Sequence, residues 1–195
     1  TALAAGPDRE HFMPTARSLL LKLIVDRASR RLLGAQAVGP GAGDKRVDVA
    51  AMAIMAGLTV DRLAQADLCY APSYAPAMDN IITAANLARN KLDGIMVTVS
   101  ADEVYQMLKR GEEFVFLDVR TPEEYERVRL PRAVSMPLGA LRGRMNELPQ
   151  GRPIVTFCDI SLRGYEAALM LQAAGFANVR VMEGGMAAWP YERVE

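Results

Sequence analysis

The chain has 195 residues, 51% of them apolar, enough to build one or two buried cores. Lys plus Arg and Asp plus Glu both number 23, so the charge points to no nucleic acid and no anionic membrane surface as partner. No apolar run approaches the roughly 20 residues that span a bilayer and no signal peptide is visible, so a soluble protein is expected. The two cysteines, Cys69 and Cys158, lie far apart in different predicted domains. A disulfide framework is therefore not expected, and a reducing cytoplasm is the expected setting.

Taken in chain order, Thr1 to Glu10 carries neither a helical nor a strand period. Because it starts on Thr1 rather than Met, the chain is expected to be a fragment of something longer. Leu19 to Asp26 and Arg31 to Val38 read as two strands joined by a polar turn, a hairpin signal. The run Gly39-Pro40-Gly41-Ala42-Gly43 then breaks the pattern. It follows a hairpin and lacks the full Gly-x-Gly-x-x-Gly spacing, so it reads as a turn rather than a nucleotide cradle. Asp44 to Ala56 is a small-residue helix ended by Gly57, and Thr59 caps the short stretch after it. Met78 to Leu92 places Met78, Ile81, Ile82, Ala85 and Leu92 at helical spacing. Strands followed by helices predict an α+β unit over residues 1–92, with the break near Lys91-Leu92-Asp93-Gly94.

Residues 95–195 alternate strands and helices instead. Met96 to Val99 is strand-like, Ser100 with Glu103 forms a capping box for a helix through Lys109, and Gly111 ends it. Phe114 to Val119 is an almost wholly apolar strand, and Thr121-Pro122-Glu123-Glu124 opens a helix with a cap, an N1 proline and an acid at the third position. Ala133 to Met136, Pro153 to Phe157 and Val179 to Met182 supply further strands, with helices near Leu138 to Glu147 and Gly164 to Ala174. Such alternation predicts an α/β domain, a parallel sheet with helices on both faces and its active site at the carboxyl ends of the strands.

Phe157-Cys158-Asp159-Ile160-Ser161-Leu162-Arg163-Gly164 sits at one of those ends. A cysteine straight after an apolar strand and just before a helix is ringed by backbone N–H groups and faces the helix's positive end. Both effects favour a thiolate and hold a negatively charged adduct. Arg163 either supplies fixed charge for an anionic donor or folds inward to brace the loop. Asp159 adds negative charge beside the nucleophile, which opposes thiolate formation and repels a dianion, so a persulfide or polysulfide donor is expected ahead of thiosulfate. Cys69 reads as a small buried side chain. His11 is the only histidine, and no metal site is expected.

Three segments in order carry a family resemblance. Phe116-Leu117-Asp118-Val119-Arg120-Thr121-Pro122-Glu123-Glu124-Tyr125, the loop Cys158 to Arg163, and Met182-Glu183-Gly184-Gly185-Met186-Ala187-Ala188-Trp189 resemble the signatures of a rhodanese domain. The resemblance implies a sulfurtransferase in which Cys158 takes up a sulfane sulfur as a persulfide and passes it to a thiol. Asp118 and Arg120 resemble positions that pair structurally in that family. Four residues separate Cys158 from Arg163, where the related cell-cycle phosphatases have five, so phosphatase or arsenate reductase chemistry is disfavoured. Ser161 stands where family loops commonly carry glycine, and Arg129 and Arg132 stand where relatives often have histidine and glycine. Those two arginines either form a basic substrate rim or are solvated surface residues.

Residues 19–92, with Leu33-Gly34-Ala35-Gln36-Ala37-Val38-Gly39-Pro40-Gly41 and Asp67-Leu68-Cys69-Tyr70-Ala71-Pro72-Ser73-Tyr74-Ala75-Pro76-Ala77-Met78-Asp79, resemble the C-terminal dimerisation domain of flavin-dependent pyridine nucleotide-disulfide oxidoreductases. The coenzyme A-disulfide reductase branch, some members of which carry a C-terminal rhodanese domain, is the nearest in domain order. This resemblance implies a homodimer through residues 1–92, FAD and NAD(P)H in the intact protein but none bound by this fragment, and coenzyme A persulfide or a related small thiol as substrate. Tyr70 and Tyr74 are then candidates to reach the partner's site, or an aromatic pair packed in a Pro-rich turn. The alternative from another class is a non-catalytic sulfur-binding or protein-interaction module.

Overall fold

A computed structural model describes the whole chain, Thr1–Glu195, which divides into two compact units, Thr1–Ile95 and Met96–Glu195. In the first unit, strands β1 (Ala2–Pro7), β2 (Ser18–Val25) and β3 (Leu32–Val38) form an antiparallel sheet in that order. Leu19, Leu21 and Leu23 of β2 are buried on one face at the two-residue period of a strand. Ala50 and Ala53 of helix α1 (Gly43–Met55) and Ile81, Ala84, Ala85 and Ala88 of a later helix (Asn80–Leu92) close over that face. Alanines at the contact let the helix backbones lie close to the sheet.

Three expectations for this unit are corrected. Ala2–Pro7 is a strand paired with β2 (Ala4 opposite Leu21) although no period was visible there, because alanines on both faces give no apolar contrast. Cys69 is exposed. The later helix starts at Asn80 rather than Met78, because Asp79 caps it by accepting from the Ile81 N–H at 3.1 Å. Thr59 caps the short helix α2 (Val60–Leu63) as expected, and Asn80–Leu92 is accordingly α3.

Arg46 is fully buried. Its Nε donates to Asp79 Oδ1 at 3.0 Å, Nη1 to the Ala42 carbonyl at 2.9 Å and Nη2 to the Asp8 carbonyl at 2.7 Å. One guanidinium thus satisfies carbonyls that no sheet or helix reaches, and ties the start of α1 to the cap of α3.

In the second unit, β4 (Thr98–Val99), β5 (Val115–Asp118), β6 (Val134–Ser135), β7 (Ile154–Phe157) and β8 (Val179–Met182) form one parallel sheet of order β4-β8-β7-β5-β6. Helices α4 (Ala101–Lys109), α5 (Pro122–Arg127), α6 (Leu138–Arg144) and α7 (Leu162–Ala173) make the crossovers. β5 and β7 are buried throughout. Val155 and Phe157 join Phe116, Val104, Met107, Met182 and Trp189 in one cluster against α4. Thr156 points the other way, its Oγ1 donating to the Gly164 carbonyl of α7 at 2.8 Å. Both capping boxes read from the sequence, Ser100 with Glu103 and Thr121 with Glu124, are formed.

The Arg46 network yields a stability prediction. Arg46→Ala takes the guanidinium from the buried Asp79 carboxylate and leaves the Ala42 and Asp8 carbonyls without its bonds, and is expected to cost the first unit about 3–5 kcal/mol. A lowered urea midpoint for that unit is the measurement.

Candidate functional site

The carboxyl ends of β5, β7 and β8 meet at one edge of the sheet, and Cys158 is the first residue after β7. It is 1% exposed but stands outside the hydrocarbon cluster that takes its neighbour Phe157. The segment 158–161 then turns into α7 through Ser161, whose φ of 78° is left-handed. The positive φ explains why glycine suits this position, and serine there costs about 1–2 kcal/mol. Part of that cost is offset, because the buried Ser161 hydroxyl donates to the Met182 carbonyl of β8 at 2.9 Å.

The loop is held from behind by the turn Gly185–Ala188. The Met186 N–H donates to the Cys158 carbonyl at 2.9 Å and the Ala187 N–H to the Asp159 carbonyl at 3.0 Å. A trans peptide is planar, with its N–H opposite its C=O. Fixing those two carbonyls outward therefore turns the N–H groups of Asp159 and Ile160 to the opposite side. The Ser161 carbonyl, which accepts from the Tyr165 N–H at 2.8 Å, fixes the Leu162 N–H in the same manner. From Asp159 to Gly164, no backbone N–H donates to a backbone carbonyl. Six successive donors without a backbone acceptor, at the N-terminus of a 12-residue helix, are a ready receptor for negative charge. Gly185 is required by the packing: φ is 55°, and a Cβ there would run into the Cys158 carbonyl.

Arg163 is ion-paired with α5. Its Nη1 and Nη2 donate to the two carboxylate oxygens of Glu124 at 2.7 and 2.8 Å. Glu124 Oε2 also accepts from the Thr121 N–H at 2.8 Å, so one carboxylate closes the α5 cap and anchors the start of α7 next to Cys158. The Arg163 bond, against the opposing pull of burial, holds the Glu124 pKa down at about 2. Arg163 is raised above its ordinary range, first by Glu124 and then, against the opposing effect of burial, by the charge of the Cys158 sulfur beside it. Asp159 is exposed on the solvent side of the loop.

Beneath the site, Asp118 and Arg120 pair at 2.7 Å, both fully buried, and Arg120 Nη2 also donates to the Val128 carbonyl at 2.8 Å. Arg132 does not join the site. Its guanidinium reaches the Glu112 carbonyl at 3.4 Å, ahead of β5 and so at the opposite end of the sheet from Cys158. Arg129 lies over the Tyr125 ring at 5.7 Å, and its backbone bridges Val194. Tyr70 and Tyr74 are both exposed in the first unit. Gly39 and Gly41 pack on Ser18, Arg17 and Asp8 with no room for a Cβ, so this run turns against its own chain and does not fit a dinucleotide pyrophosphate. The sequence reading missed Glu124 as a loop anchor and Gly185 as a loop support. Both lie inside the quoted signatures, but only their long-range partners reveal the roles.

Comparison with known proteins agrees with this geometry. The model of the rhodanese-like domain matches residues 100–191, and that of the pyridine nucleotide-disulphide oxidoreductase dimerisation domain matches residues 2–82. A sulfurtransferase of Allochromatium vinosum is 31% identical over 91 residues, 47% of this chain and 85% of the relative. An NAD(P)H coenzyme A polysulfide/persulfide reductase of Pyrococcus horikoshii is 39% identical over 89 residues, 46% of this chain but 20% of the relative. The solved NAD-dependent persulfide reductase from A. fulgidus superposes with a TM-score of 0.87 at 45% identity, covering 96% of this chain and 33% of that one. The chain thus spans about a third or less of the reductases it matches.

Two predictions arise here. Arg132 holds a φ of 61°, so Arg132→Gly is expected to stabilise the second unit by roughly 0.5–1 kcal/mol, seen as a higher melting temperature. The Glu124 carboxylate is depressed from 4.5 to about 2, so the stability it contributes is full above about pH 4.5 and is lost as pH falls through about 2. The difference in unfolding free energy between wild type and Glu124→Gln should therefore be constant from pH 7 to 5 and shrink steadily below that.

Proposed function

The chain belongs to the rhodanese-like sulfurtransferase family, with a pyridine nucleotide-disulphide oxidoreductase dimerisation domain ahead of the rhodanese-like one, and from this premise we propose that Cys158 is the nucleophile of a sulfur-transfer cycle. The Cys158 thiolate attacks the sulfane sulfur of a donor R–S–SH. The donor's S–S bond breaks, the thiol R–SH leaves with the proton, and Cys158 carries a persulfide, S–S⁻. An acceptor thiolate then attacks the outer sulfur and takes it away as a new persulfide, restoring the Cys158 thiolate. The run of free amides from Asp159 to Gly164 carries the reading. They stabilise first the thiolate and then the terminal sulfur, which lies one bond farther out in the same ring. Ile160, Ser161 and Leu162 act through their backbone, and Arg163 through the loop it braces.

We further assign the intact protein to the coenzyme A-disulfide and persulfide reductases, with residues 1–92 as a homodimerising domain and 95–195 as the transfer domain. FAD and NAD(P)H would be held by residues outside this chain. Coenzyme A or a related small thiol would accept the sulfur, with Tyr70 and Tyr74 serving the partner's site, in a cytoplasmic setting. Exposed Met52, Met55, Leu33 and Val38 in the first unit suit burial against a second copy.

Mass spectrometry tests the cycle. Incubated with an organic persulfide, the chain should gain one sulfur atom at Cys158, lose it to added thiol, and gain none as Cys158→Ser. Absence of the adduct in the unsubstituted chain would leave the binding-module alternative standing.

A further inference from the structure

Resting on this sulfur-transfer reading, we propose that Glu124 and Asp159 are specificity-determining residues that admit a neutral or singly charged organic persulfide and turn away doubly charged sulfur oxyanions. The charges near one sulfur atom set which donor can approach it. Arg163 is the cation that meets the Cys158 sulfur, and both of its terminal nitrogens are already given to Glu124. The pair leaves no net charge for an incoming anion and no free fork to grip an oxyanion bidentately. Asp118 and Arg120 cancel beneath the loop in the same way. Asp159 follows the nucleophile directly, is exposed, and has no ion pair or side-chain hydrogen bond to mask it. These five side chains therefore sum to one negative charge, and the backbone amides of the loop are what they leave to receive a donor. Amides suffice for one S⁻ but do not offset a second charge.

The negative charge of Glu124 is not needed by the helix it caps, since glutamine at the third position closes the same box. Its ionised form serves Arg163. Thiosulfate delivers its outer sulfur with release of sulfite, so it must bring two charges to the ring; an organic persulfide brings at most one and releases a thiol. Removing one unit charge several ångströms from a dianion in a mostly aqueous surrounding changes its rate by about tenfold.

The test is single-turnover loading of Cys158 in the 195-residue chain, followed by mass spectrometry, with thiosulfate and with the persulfide of N-acetylcysteamine. The unsubstituted chain should load faster from the persulfide. Glu124→Gln and Asp159→Asn should each raise the thiosulfate-to-persulfide rate ratio, by about tenfold for a persulfide that reacts neutral and about threefold for one that carries a single charge. Added salt should raise the thiosulfate rate of the unsubstituted chain more than that of either variant. General damage to the fold would lower both rates together and leave their ratio where it was. A ratio unchanged within twofold in both variants, or an unsubstituted chain that loads equally well from either donor, overturns the specificity proposal and leaves sulfur transfer intact. Failure to load from either donor overturns the transfer reading and this proposal with it.

Discussion

Two backbone hydrogen bonds, from Met186 and Ala187 to the carbonyls of Cys158 and Asp159, are the constraint on which the site depends. Each is worth only about 1 kcal/mol net, but their effect is geometric. By anchoring the carbonyl side of two peptide planes they decide which way the amide side faces, and the helix that follows adds its dipole to the same point. The side chains are arranged around this. Gly185 gives the turn room to come close, Ser161 ties the left-handed corner to β8, and Gly164 lets α7 lie against Phe157. Removing any one leaves the others without the geometry they complete.

Both units use a buried Arg–Asp pair for the same physical task. Arg46 with Asp79 and Arg120 with Asp118 each spend a guanidinium on a carboxylate and then on carbonyls of irregular backbone: Ala42 and Asp8 in one case, Val128 in the other. Buried ion pairs contribute little net stability compared with well-packed apolar groups. Their value here is that no apolar side chain could satisfy those carbonyls where chain leaves a strand or enters a helix. Asp8 is a third example: burial raises its pKa, but Arg9 and the N–H groups of Arg17 and Ala42 together bring it below the ordinary carboxylate range.

Much of the architecture was legible because it is written in local chemistry. The capping boxes at Ser100 and Thr121, the Thr59 cap, the glycine stop after α4 and the apolar runs of β5 and β7 each follow from a few adjacent residues, and the loop at Cys158 announces itself by position. What escaped was written at long range. β1 is alanine-rich and shows no contrast between faces, so only its pairing with β2 defines it. Glu124 reads as a cap until Arg163, 39 residues later, is seen to hold it. Arg132 looks like a rim residue by its place in a motif, yet its side chain leaves toward the far end of the sheet. Adjacent residues give away the elements and the cysteine loop; they do not give away which distant backbone supports them.

The support for Cys158 comes from residues 185–188, on the far side of α7 and β8 from the loop they hold. A polypeptide cut between α7 and β8 would keep the strand and the helix that flank Cys158 but lose both donors to the loop carbonyls. Its peptide planes would then be free to rotate, and the amides would no longer be turned to one side. Proteolysis at that junction would thus dismantle the loop while leaving it uncut.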